Sequence, residues 1–135
     1  MVSVGLKQLT AIYAALFFLL FLWLGLTEPG AELLHWLHGQ RGLDKVGHFL
    51  VMGIFSLLLN LSLSATRVRV GPVSILAGTL IVMAISVVEE LAQNLFRERV
   101  FSLIDLAADL AGAYCFGLLA AYLVARRQQL PTRNA

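Results

Sequence analysis

Four stretches of this chain, 8–27, 46–66, 70–88 and 110–125, contain no Asp, Glu, Lys or Arg. A helix crossing the hydrocarbon of a bilayer needs about 20 predominantly apolar residues, so runs of this length without charge constrain the fold more than any single motif. They imply four spans, over about 8–27, 46–66, 70–88 and 104–125, which use nearly the whole of the 135 residues. The composition agrees: 59% of residues are hydrophobic and 13% charged, where soluble domains hold about 45–50% and about 25%. The apolar runs are continuous rather than alternating, which argues against a β-barrel. The expected fold class is therefore an all-α membrane protein, a four-transmembrane-helix bundle forming one domain.

The first run is long for a secretory signal, and "GLTEPG" after it offers no small-x-small cleavage site, so it reads as a retained span. The formal net charge of +2 is spread over short loops, which favours neither a nucleic-acid surface nor a polybasic lipid anchor. A single cysteine, Cys115, falls within the last span, so no internal disulfide and no cysteine metal cluster is possible.

With four spans, both termini and the middle loop share one side of the membrane. That side holds Lys7, Arg67, Arg69, Arg126, Arg127 and Arg133, six cations, against Arg41, Lys45, Arg97 and Arg99, four, on the other. Positive charge is retained in the cytoplasm, which orients both termini inward. All eight acids, Glu28, Glu32, Asp44, Glu89, Glu90, Glu98, Asp105 and Asp109, then gather at the outer face.

The last span carries its acids in a pattern. At about 100° per residue, Ser102, Asp105, Asp109 and Gly112 fall on one helix face, which should be turned to the bundle. A carboxylate in hydrocarbon costs roughly 2.5–3.5 kcal/mol on insertion scales, so each acid needs a cation, a donor network or a proton. Lys45, His48, Arg97 and Arg99 are the available partners. Asp44 reads as an N-cap for the second span. Lys45 opposes the dipole of the same helix end, as Glu89 and Glu90 oppose that of the third, and pairing Lys45 with Glu90 or Asp105 would resolve both. Glu90 and Gln93 can share a face, Arg97 and Glu98 read as solvated loop charges, and Arg99 is placed to clamp a carboxylate or phosphate.

The first outer loop, "TEPGAELLHWLHGQRGLDK", interleaves Leu33, Leu34, Trp36 and Leu37 with Glu32, His35 and His38. This pattern suits a short interfacial helix with Trp36 at headgroup level. His35 and His38 have metal-ligand spacing but no matching cysteine, so no metal site and no cofactor is expected. Ala113, Gly117 and Ala121 form a small-xxx-small packing stripe.

"DKVGHF" at 44–49, followed by "EELAQNLFRERVFSLIDLAADLAG" at 89–112, resembles the VanZ-like family of small bacterial membrane proteins. The family pattern falls on Asp44, Lys45, His48, Phe49, Glu90, Gln93, Arg99, Ser102, Asp105 and Gly112, covering the second to fourth spans. Asp109 stands where the family usually has Asn, and "RERVF" lacks the usual Pro-Gly before the Arg. The resemblance implies a multi-pass protein of the bacterial cytoplasmic membrane with a link to the cell envelope or to glycopeptide (teicoplanin) response, without supplying a reaction. The expected ligand is a membrane lipid or lipid-linked envelope precursor. Asp44, Lys45, Glu90, Gln93, Arg99, Ser102 and Asp109 would bind its headgroup or form a polar network, and an enzymatic version would use His48 as acid or base with Asp105 orienting it. The alternative is a non-catalytic structural or partner-binding protein whose polar cluster locks the helix bundle.

Overall fold

A computed structural model describes residues 4–40, 42–92 and 101–129. Among the described residues, five helices and one hairpin follow in order: α1 (Val4–Leu26), α2 (Glu28–Gly39), α3 (Leu43–Ser62), β1 (Arg67–Val70), β2 (Val73–Leu76), α4 (Ala77–Ala92) and α5 (Leu103–Gln129). Of these, α1, α3 and α5 contain stretches long and apolar enough to cross a membrane. The described part of α4 is 16 residues long.

The helices begin and end where local chemistry dictates. Thr27 caps α2, its Oγ1 accepting from the Gly30 amide at 3.1 Å, while Pro29 occupies a first-turn position that has no N–H to satisfy. Gly42, at φ +83°, precedes α3 and makes the cap conformation itself. Asp44 therefore lies within the first turn of α3 rather than at its N-cap. Its charge still suits the positive end of the helix dipole.

A β-hairpin stands where the third span was expected to start, so α4 begins at Ala77 instead of near 70. Its strands pair antiparallel, with Val70 opposite Val73 across Gly71 and Pro72. Gly71 takes φ +61°, the left-handed value required at the first central position of a type II′ turn. "RVRV" alternates β-branched and charged residues, a strand pattern that a count of charge-free residues does not register.

The core lies among α1, α3, α4 and α5 and is built on Met52, Phe55, Val82 and Ala113, with Tyr13, Phe17, Leu59, Met83 and Ile85 packed around it. Contact between α3 and α5 is the most extensive in the fold. Gly112 explains how close they come: a Cβ there would strike the backbone carbonyl of Phe49. The small-residue stripe of α5 runs through Gly112, Ala113, Gly117 and Ala120, all buried, with Ala121 only half-buried. Outward, α1 exposes Leu16, Phe18, Leu19 and Trp23, apolar surface that belongs in lipid.

Between α3, α4 and α5 lies a buried polar knot. Asn60 Nδ2 donates to Ser56 O at 2.8 Å and to Thr79 Oγ1 at 2.9 Å, and Ser56 Oγ donates to Ala113 O at 2.7 Å. Hydroxyls likewise fasten α1: Tyr13 Oη donates to Val51 O at 3.0 Å, and Thr10 Oγ1 lies 2.7 Å from Ser62 Oγ. Interhelical hydrogen bonds of this kind join helices where lipid tails leave little hydrophobic drive for association.

Candidate functional site

The N-terminal turns of α3 and α5 and the C-terminal part of α4 meet at one end of the bundle. They bring Asp44, Lys45 and His48 of α3 together with Glu89 and Glu90 of α4 and Asp105 and Asp109 of α5. Asp105, Asp109 and Gly112 are all buried, so the face expected from their spacing is turned inward. Ser102 is half-buried at its head.

Lys45 has the anionic partners its position demands. Its Nζ lies 2.6 Å from Asp44 Oδ2 and 3.0 Å from Asp105 Oδ1, tying α3 to α5. Of the two partners expected across the helices, Asp105 is the one it meets. Glu90 is engaged elsewhere: it is wholly buried, and its Oε1 accepts from the Ser102 amide at 2.7 Å. That places an anion on the N-terminus of α5, the favourable end of the helix dipole. Ser102 Oγ in turn accepts from the Asp105 amide at 3.2 Å. Ser102 therefore works as the N-cap of α5.

The acid beside His48 is Asp109, not Asp105. His48 Nδ1 stands 2.9 Å from Asp109 Oδ1, while Asp105 is held by Lys45. The reason is helical phase: Asp109 lies one turn further along α5, at the depth His48 reaches one turn into α3. Asp109 is wholly buried, and its Oδ2 has no hydrogen-bond partner among the described residues.

This polar end opens onto a cavity of about 200 Å³. Phe17, Leu20 and Leu24 of α1, Leu37 of α2 and Val51 and Met52 of α3 form apolar walls, and Asp44, His48, Glu89 and Asp109 supply the polar part of the lining. An apolar groove between α1 and α4, lined by Phe18, Ile81, Ile85 and Val88, reaches Glu89 from the other side. Glu89 is not among the expected site residues, because the Glu-x-x-Gln spacing falls on Glu90 and Gln93. Both prove buried, Glu89 toward the cavity and Glu90 toward the start of α5.

Gln93 and Arg99, expected at the site, lie outside the described residues, as do Arg97 and Glu98. His35 is exposed on α2, and the side chain of His38 is likewise outside the description. No protein-family model, curated protein or solved structure matches the chain.

Proposed function

We propose that this is a four-span membrane protein of the VanZ-like type that binds the headgroup of a lipid or lipid-linked envelope precursor at the outer boundary of the bacterial cytoplasmic membrane. The observation that carries this reading is the cavity, apolar along α1 and polar at Asp44, His48, Glu89 and Asp109. That polarity matches an amphiphile whose tail lies against Phe17, Leu20 and Leu24 and whose headgroup reaches the ends of α3, α4 and α5. In this reading α4 is the third of four spans, α2 lies in the interface with Trp36 at headgroup level, and the termini are cytoplasmic. A link to glycopeptide response follows from the family resemblance alone.

The test is native mass spectrometry of the detergent-purified protein. Wild type should retain a distinct lipid that Leu20→Trp, which fills the cavity from its apolar side, releases without unfolding. Equal retention by both proteins would sink the cavity as the binding site.

A second reading has its own support. Lys45 bridging Asp44 and Asp105, and Glu90 capping α5, are contacts that lock helices together. A non-catalytic structural or partner-binding protein needs no more from them. Asp44 belongs to both, but Lys45, Glu90 and Asp105 belong to the contacts alone and His48, Glu89 and Asp109 to the cavity, so substitution of each set separates the readings.

A further inference from the structure

We infer that His48, Glu89 and Asp109 form a binding site for a divalent transition-metal ion at the polar end of the cavity. One nitrogen or oxygen atom from each residue lies within 4.8 Å of the others, and the three come from α3, α4 and α5. Ligands around a tetrahedral ion with bonds of about 2.0–2.2 Å are separated by about 3.3–3.6 Å, so the three groups must draw together by about 1 Å to close the set. His48 Nδ1 and Asp109 Oδ1, 2.9 Å apart, are at hydrogen-bond distance, closer than two ligands of one ion, so a bound ion replaces this hydrogen bond.

Charge points the same way. Among the described residues, this end of the bundle holds Asp44, Glu89, Glu90, Asp105 and Asp109 against Lys45 and His48. Lys45 is held by Asp44 and Asp105 and does not pair with Asp109. Asp109 lines the cavity, and its Oδ2 is buried with no hydrogen-bond partner among the described residues. A buried carboxylate oxygen without a donor is costly, and a cation bound there supplies the missing interaction.

The donor set selects the class of ion. One imidazole and two carboxylates form a mixed nitrogen and oxygen shell, which suits zinc-like ions better than calcium or magnesium, whose sites are built from oxygen. Three protein ligands leave a fourth position of a tetrahedral ion open toward the cavity. An anionic headgroup, otherwise repelled by the carboxylates, would meet a positive centre there.

The experiment uses Zn²⁺ alone. Chelator-stripped protein in lipid-free detergent is equilibrated with Zn²⁺, and bound metal is counted by elemental analysis for wild type, E89Q, D109N and H35A. About one zinc per chain is expected for wild type and H35A, with affinity at least about tenfold weaker in E89Q and D109N. X-ray absorption of the wild-type complex should show a nitrogen and oxygen shell with one imidazole. Background zinc in wild type, or wild-type binding by E89Q, would overturn the site. E89Q keeps the side-chain volume and decides the matter even where D109N fails to fold. Lipid retention is measured separately, so failure to bind zinc and failure to bind lipid are distinct results.

Discussion

His48 of α3 and Asp109 of α5 stand 2.9 Å apart, Nδ1 to Oδ1, with Asp109 wholly buried and His48 half-buried at the cavity wall. This pairing fixes which edge of the imidazole faces α5. A carboxylate on one ring nitrogen is the usual means of setting the orientation and tautomer of a working histidine.

Loss of the Asp109 carboxylate should release the ring. In D109N the ¹⁵N chemical shifts of His48 Nδ1 should move toward those of a solvent-exposed imidazole such as His35. Unchanged shifts would mean that Asp109 does not orient His48.

Lys45 and Asp105 should be energetically coupled. Because the Lys45 side chain is 38% exposed, a double-mutant cycle with K45M and D105N should return about 1 kcal/mol, well below a fully desolvated pair. A coupling of zero would assign their contact to surface proximity.

The polar knot should contribute to stability without touching the cavity. S56A removes the donor to Ala113 O, and a loss of about 1 kcal/mol is expected in a denaturation assay in detergent. Lipid and zinc binding should be unchanged, and a binding defect in S56A would contradict the separation of the two polar groups.

Gly112 and Gly47 should behave oppositely. A methyl at Gly112 meets the Phe49 carbonyl, whereas at Gly47 nothing lies within 4 Å. G112A should cost about 1–3 kcal/mol and G47A should be neutral or mildly stabilising. Equal melting temperatures would refute the close approach of α3 and α5.

Cys115 is exposed on α5, within the stretch expected to cross the bilayer. In intact membranes it should resist a charged maleimide, because hydrocarbon excludes both the reagent and the thiolate, and should react once detergent and denaturant are added. Prompt labelling in membranes would place this part of α5 in water.

Helix periodicity made much of this arrangement legible. The spacing of Asp105, Asp109 and Gly112 gave their shared buried face, and the cation opposing the α3 dipole gave Lys45 an anionic partner. What spacing within a helix cannot give is relative depth between helices. Read from sequence, Asp105 is assigned to orient His48, whereas the packing of α3 on α5 sets the lower acid, Asp109, beside it. The hairpin was hidden because its valines count as apolar in any hydropathy sum. Asn60, Ser56 and Thr79 give no signal in the sequence, because uncharged polar residues are common in membrane helices and only three-dimensional packing brings these together.

The bare Cα of Gly112 has a consequence well away from itself. Phe49, whose carbonyl it receives, follows His48 in the chain, and Gly112 lies one turn beyond Asp109. The glycine thus acts as a spacer gauge: its missing side chain determines how far the imidazole stands from the carboxylate. A residue with no functional group of its own sets the tolerance to which the polar end is built.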